Sequence, residues 1–331
     1  MPQEALLTIL IKAVALVLVV VTAFAYLTLL ERKLMGRMQA RYGPNRAGPL
    51  GSLQPLADVV KLMSKEDFIP AGANKILFQL APVISVFAAI SAIVIIPFGE
   101  PRTWWGHQVN FVGADLNVGL LFVFALSGIG FYGLILGGYA SGNKYSLLGA
   151  ARTAAQLVSY EVAMGLSVVG VLMLSQSLSL TDIVHAQADT AWYVVFQPVG
   201  FVIFLIAGTA ETNRPPFDLP EAESELVAGY HTEYGGMKFA AFAMAEYLNM
   251  VIVAGLGATL FLGGFSGPWL PGPLWIAIKM LGLILLFIWI RATMPRLRYD
   301  RLMKLGWKLL LPLATLNLLV TAIVIGIWFT N

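Results

Sequence analysis

A chain of 331 residues that is 58% hydrophobic and only 12% charged, with a mean hydropathy of +0.79, has too little polar surface to enclose a water-soluble core, so a membrane protein is expected. With no cysteine there is no thiolate for an iron–sulfur cluster or zinc site, and the three histidines, His107 and His185 in outer loops and His231 in an inner one, supply no haem pair across the membrane. The formal net charge of +3 is carried by lysines and arginines grouped in alternate loops, which is positive-inside sorting without the aromatic-interleaved basic face of a nucleic-acid binder.

Apolar runs long enough to cross a hydrocarbon layer of about 30 Å, roughly 20 residues each, recur eight times. They fall at about 5–30, 76–97, 116–138, 154–175, 192–210, 239–263, 274–293 and 307–329. The first run is too long, and too poor in basic residues at its start, for a cleaved signal, so it is expected to stay. Hydrocarbon offers the backbone no hydrogen-bond partner, and runs of this length without strict alternation exclude a barrel, so the predicted fold is all-α. One polytopic bundle over 1–331 is expected, because no repeat, low-complexity segment or linker divides it. Only Lys12, Arg102 and Lys279 fall outside the loops after the first, third, fifth and seventh helices. Those loops therefore face the cytoplasm or an organelle matrix, and an even number of spans puts both termini on the other side.

After the first span comes a long inner loop, 31–75, with eight Lys/Arg against four Asp/Glu. Its segment "RYGPNRAGPLG", from Arg41 to Gly51, is dense in turn-forming Gly and Pro and predicts a rigid irregular stretch. Leu56, Val59, Val60 and Met63 then recur at helical spacing, with Asp58, Lys61 and Lys65 on other faces. The pattern predicts a short amphipathic helix in the interface plane, serving either to anchor the loop to headgroups or as the lip of an opening for a lipid-like molecule.

In the fourth span the apolar residues after Glu161 are too few to cross, so the helix is expected to begin near Ala154 and to carry Glu161 about 10 Å inside its inner end. Glu211 closes the fifth span, either as the salt-bridge partner of Arg214 or in a functional role. The inner loop 211–238 holds six acids against two basic residues. Within it, Asp218, Pro220 and Glu221 form a helix start, with Glu221 and Glu225 one turn apart on one face and Glu223 pointing away. That spacing fits a solvated acidic cap or a proton-holding cluster. Glu246 lies some 10 Å into the sixth span. Carboxylates at such depth cost about 2.5–3.5 kcal/mol, so they face the bundle interior and mark ion or proton paths. Lys279, near the outer end of the seventh span, is expected to snorkel. There is no phosphate-cradling glycine motif, so any redox role depends on cofactors held elsewhere.

Four segments, "ERKLMGRMQARYGPNRAGPLGSLQPLADVVKLMSKED", "GYASGNKYSLLGAARTAAQLVSYE", "RPPFDLPEAESELVAGYHTEYGGMKFA" and "IRATMPRLRYDRLMKLGWK", closely resemble the H-type membrane subunits of respiratory complex I, the mitochondrial ND1 family. The similarity covers essentially the whole chain. It implies a subunit of a proton-pumping NADH–quinone oxidoreductase that binds no cofactor of its own and carries no catalytic residue. Ubiquinone or menaquinone is the implied substrate, with FMN and iron–sulfur clusters in partner subunits. The implied partners are the hydrophilic peripheral-arm subunits bearing the terminal cluster and the quinone-head site, small membrane subunits, antiporter-like pumping subunits and lipid. Carried over by position, the proton path is Glu161, Glu211, Glu221, Glu223, Glu225, Glu233 and Glu246, and the quinone chamber includes Glu31, Arg32 and Asp58. The implied location is a bacterial inner membrane with periplasmic termini. Some members of the family have an acid in the third span where this chain has "SGIGFYG", so the link onward from Glu161 falls to water or to another subunit. A ferredoxin-driven or hydrogenase-type complex, and a stand-alone proton-coupled transporter, remain as alternatives.

Overall fold

The computed structural model describes residues 6–104, 107–109, 111–220 and 226–330. Apolar runs become helices because only a helix satisfies its own backbone in hydrocarbon. Among the described residues seven are long and apolar enough to span. They are α1 (Leu6–Met38), α3 (Lys75–Ile93), α4 (Gly119–Ala140), α5 (Lys144–Ser175), α9 (Gly236–Phe261), α10 (Gly272–Thr293) and the continuous pair α11 (Tyr299–Lys304) and α12 (Leu311–Thr330), joined through a π-helical turn at Leu305–Leu310.

The fifth span departs from expectation. It is a four-residue turn, α7 (Tyr193–Phe196), followed by α8 (Pro198–Glu211), whose 14 residues rise about 21 Å and fall short of the membrane. The break lies at Gln197, before a proline that cannot donate. Its side chain takes Asn317 Nδ2 and donates to Thr321, both at 2.7 Å, so the last helix satisfies the polar group at the break.

Helix ends differ from the apolar boundaries because hydropathy detects only the part of a helix that lies in lipid. α1 runs on to Met38 and carries Glu31 and Arg32 within it. α5 begins ten residues before the expected Ala154, capped by Asn143, whose side chain accepts from Tyr145 N at 2.9 Å. Glu161 therefore lies about 25 Å from the start of its helix, not 10 Å.

Close packing depends on small residues. A Cβ on Gly133 would stand 2.1 Å from Ser85 Oγ, so α3 and α4 meet at a distance only glycine allows. Gly149 of α5 likewise abuts the backbone of Gly229 and Tyr230. One large apolar core fills the bundle centre. A smaller one at the inner end gathers Phe78, Leu157, Tyr230, Tyr234 and Phe242.

In the loop after α1, 41–51 is irregular as expected, with a 3₁₀ turn at Pro49–Gly51 and positive φ at Gly48, Leu50 and Gly51. The amphipathic helix forms as α2 (Gln54–Ser64), and Leu56, Val59, Val60 and Met63 are exposed. Between α3 and α4, residues 98–115 contain a short antiparallel pair absent from an all-helical expectation, β1 (Arg102–Trp104) with β2 (His107–Val109), Thr103 in register with Gln108. The polar segment 179–191 folds as α6 (Leu180–Asp189), capped by Ser179. Lys279 does not snorkel to water. It is buried, donates to the carbonyls of Gly264 (2.8 Å) and Ser266 (2.7 Å), and lies over the rings of Trp192 and Trp275. The ammonium finds enough acceptors in the folded outer loop to replace hydration.

Candidate functional site: clustered glutamates at the end of the broken helix

The site is organised by the chain reversal that follows α8. Thr212 N closes the helix onto Gly208 O at 3.1 Å, and Asn213 takes a left-handed conformation that asparagine tolerates better than most residues. Arg214, the cis-linked Pro215–Pro216 and Phe217 then fold back inward. Gln156 of α5 fixes this corner from behind, its Nε2 donating to Ala210 O (2.7 Å) and Phe217 O (2.9 Å). Leu297 N donates to Pro216 O at 3.0 Å, tying the segment after α10 to the same corner.

Two electrostatic environments meet there. In the first, Arg214 is almost fully buried and Glu31 of α1 takes its Nη1 at 2.5 Å. The other oxygen of Glu31 accepts from Arg291 of α10. Arg214 Nε lies 3.3 Å from Glu246 of α9 as an ion pair without a directed hydrogen bond, and the guanidinium sits 4.1 Å from the ring centre of Tyr247. Two arginines thus face two glutamates. Desolvating such charges is costly, and only mutual pairing makes it tolerable.

In the second environment no arginine lines the cavity among the described residues. Glu161, Glu211, Glu246, Asn213, Asn249 and Ser127 contribute to the lining of a cavity of about 30 Å³, room for one or two waters. Ser127 of α4, from the "SGIGFYG" run, donates to Glu211 Oε1. Glu211 Oε2 is buried and has no hydrogen-bond partner among the described residues. A second cavity of about 20 Å³ adjoins, lined mainly by apolar side chains of α3, α4 and α9, and shares Ser127, Glu211 and Asn249 with the first. Glu246 belongs to both environments, pairing with Arg214 and lining the cavity.

The anticipated site residues divide accordingly. Glu161, Glu211 and Glu246 come together, and Glu31 joins them through Arg214. Arg32 and Asp58 pair with each other at 2.6 Å on the more exposed face of α1 and α2, apart from Glu31. Glu233 takes Asn143 Nδ2 at 2.7 Å where the acidic loop meets the start of α5. Glu221, Glu223 and Glu225, with the helix start expected after Asp218, lie outside the described residues. Arg214 does not pair with Glu211, three residues back; it turns to Glu31 and Glu246. Sequence reasoning missed Arg291, Ser127, Gln156 and Asn249, of which Arg291 alone had a signal, as a charge in the last turn of an apolar helix.

The second half of the acidic loop is anchored. Tyr234 stacks on Phe78 with ring centres 4.0 Å apart, and Lys238 bridges to Asp67 at 3.0 Å, joining the two long inner loops. His231 packs edgewise against Tyr230 and near Phe239, and burial lowers its pKa to about 4. The phenol of Tyr234 is pushed up, also by burial.

Known proteins similar to this chain in sequence carry a consistent description. The profile of the family described as NADH dehydrogenase matches residues 11–322. In Geobacter metallireducens, H subunit 1 of the NADH-quinone oxidoreductase is 56% identical over 94% of both chains. Its counterpart in Geobacter sulfurreducens, H subunit 2, is 55% identical with the same coverage, and the H subunit of Thermomicrobium roseum is 53% identical over 91% of each chain. Relatives so named, matched over nearly their full length, do not favour a hydrogenase-type complex or an independent transporter. This membrane-spanning chain belongs to the family of NADH-quinone oxidoreductase H subunits, the membrane subunits of complex I that bear this name.

Proposed function

We propose that this chain couples quinone reduction to proton translocation through the two charge environments at the end of α8. It lines the approach of ubiquinone or menaquinone with Glu31, Arg32, Asp58 and α2. The quinone head and the terminal iron–sulfur cluster belong to peripheral-arm subunits docked on its inner face, and FMN lies further along that arm. Reduced quinone demands protons or leaves negative charge near the inner end of α1. Arg214, bonded to Glu31 and 3.3 Å from Glu246, is the observation that supports transmission of that change. A shift in its balance alters the charge held by Glu246, and then the occupancy of Glu161 and Glu211 across the shared cavity. Glu221, Glu223, Glu225 and Glu233 form the inner mouth of this path, and small membrane subunits and antiporter-like pumping subunits receive its output. The chain itself provides walls and protonatable groups rather than a reacting centre.

Glu246→Gln in the assembled complex tests this directly. In sealed inverted vesicles, NADH-driven quinone reduction is expected to continue while proton uptake per NADH oxidised falls severalfold. An unchanged ratio overturns the path.

We also propose a plasma-membrane location with both termini periplasmic, from the grouping of basic residues in 31–75 and 291–308 on one side. The chain has no cysteine, so single replacements report topology without background. Arg46→Cys should react with an impermeant maleimide only from the cytoplasmic side, and Trp269→Cys only from the periplasmic side; the reverse pattern inverts the assignment.

A further inference from the structure

Ser127 differs from most serines and threonines of the helical core, although Ser85 also reaches a neighbouring helix, sharing its hydroxyl between Ala81 O and Gly130 O, both at 3.4 Å. Ser141, Thr153, Ser159 and Ser167 each donate back to a carbonyl three or four residues earlier in their own helix, at 2.6–2.9 Å. Such back-bonding is the usual fate of a hydroxyl inside an apolar helix. Ser127 instead commits its proton across helices, to Oε1 of Glu211. Among the described residues it is the one directed donor that carboxyl group has, and Oε2 is left buried without a partner. Both residues lie where the polar cavity, shared with Glu161 and Glu246, meets the mainly apolar one between α3, α4 and α9.

We propose that Ser127 is a positioning residue for proton transfer at Glu211. This rests on the reading of the glutamates as a proton path. Oε1 is occupied as acceptor, so the proton is taken up and released at Oε2, while Ser127 keeps its own. The hydroxyl holds the carboxyl plane at the junction of the two cavities, so water arriving on the polar side meets Oε2 in a fixed orientation. A neutral donor suits this role. An arginine in its place would meet the carboxylate as a countercharge, as Arg214 and Arg291 meet Glu31. Ser127 thereby does part of the work left open by the absence of an acid in this helix.

The test uses the assembled complex reconstituted in liposomes, comparing Ser127→Ala, Ser127→Thr and Glu211→Gln. Two quantities are read: the rate of proton translocation during quinone reduction, and the infrared carboxyl band that disappears in Glu211→Gln. In Ser127→Ala the rate is expected to drop about fivefold, the scale of one lost hydrogen bond, and the band to shift. Ser127→Thr, which retains the hydroxyl, should restore both. A wild-type rate and an unshifted band in Ser127→Ala, with translocation abolished in Glu211→Gln, overturn the positioning role and leave the path standing. A threonine variant as impaired as the alanine one assigns Ser127 to packing and also overturns it. Full translocation in Glu211→Gln removes the path itself, and this inference with it.

Discussion

Glu211 and Arg214 are three residues apart, yet they enter opposite kinds of environment. Arg214 reaches into a compensated cluster in which each charge has a partner: Glu31 between two arginines, and Glu246 beside one of them. Glu211 turns into a cavity whose lining adds a serine hydroxyl, two asparagines and two other glutamates. The contrast separates carboxylates held by countercharge from one held by a single neutral donor beside room for water. Glu31 is fixed by ion pairs that are costly to break from one side, whereas Glu211 has no countercharge to lose among the described residues. Glu246 joins the two, pairing with Arg214 and lining the cavity.

The largest effect is expected from removing the centre of the compensated cluster. Arg214→Leu leaves Glu31 short of one partner and Glu246 without its arginine, in a buried site, and should cost about 3–5 kcal/mol, the range for breaking a buried pair by deleting one partner. Loss of the chain from the purified complex, or a large fall in its melting temperature in detergent, would report it. Glu211→Gln should leave assembly and melting close to wild type, because an amide keeps the shape of a group that has no ionic partner among the described residues. Equal destabilisation by the two changes would erase the distinction.

How far this could be read in the sequence follows from what each signal measures. Apolar length located the seven spanning helices and the shorter α8, and Glu161 and Glu246 stood out because each carboxylate is embedded in an apolar run, although the depth of Glu161 within its helix was not visible. Helix ends were not visible either, since the polar first three turns of α5 and the last two of α1 continue the backbone pattern without the hydropathy. Adjacent residues on a helix project about 100° apart. Glu31 and Arg32, neighbours expected to share one chamber, accordingly part company: one turns into the bundle toward Arg214, the other out to Asp58. Arg214 looked like a partner for Glu211 by i, i+3 spacing, but that spacing applies to a continuing helix, and the left-handed Asn213 ends it. Ser127 gave no signal, because a serine among glycines reads as helix packing until the opposite helix is known.

His231 gives a second, pH-dependent way to sharpen the comparison. It is a half-buried titratable group packed against aromatic rings, with desolvation as the cause of its shift. Its folded pKa of about 4 lies below the ordinary histidine value of 6.5. The stability it leaves intact is therefore complete above 6.5 and is lost as pH falls toward 4, where the unfolded segment binds a proton that the folded one refuses. The slope is up to about 1.4 kcal/mol per pH unit in that window. Melting of the complex at pH 7 and pH 5 should show the loss, and His231→Gln should flatten it. An equal slope in the variant would assign the acid sensitivity to the glutamates instead.

The smallest effect belongs to the ion pair outside the bundle. Arg32 and Asp58 are as close, at 2.6 Å, as Arg214 and Glu31, but the arginine side chain is 49% exposed where that of Arg214 is 3% exposed. Water and salt already solvate the exposed pair, so Asp58→Asn should cost no more than about 1 kcal/mol and less at high ionic strength. Any larger consequence would therefore be functional. If Asp58 lines the quinone approach, the same change should raise the apparent KM for a short-chain quinone while melting stays within a degree or two of wild type. If KM and melting move together, the pair is holding α2 against α1. Similar distances at the two arginines thus predict several kilocalories at one and almost none at the other, and burial alone makes the difference.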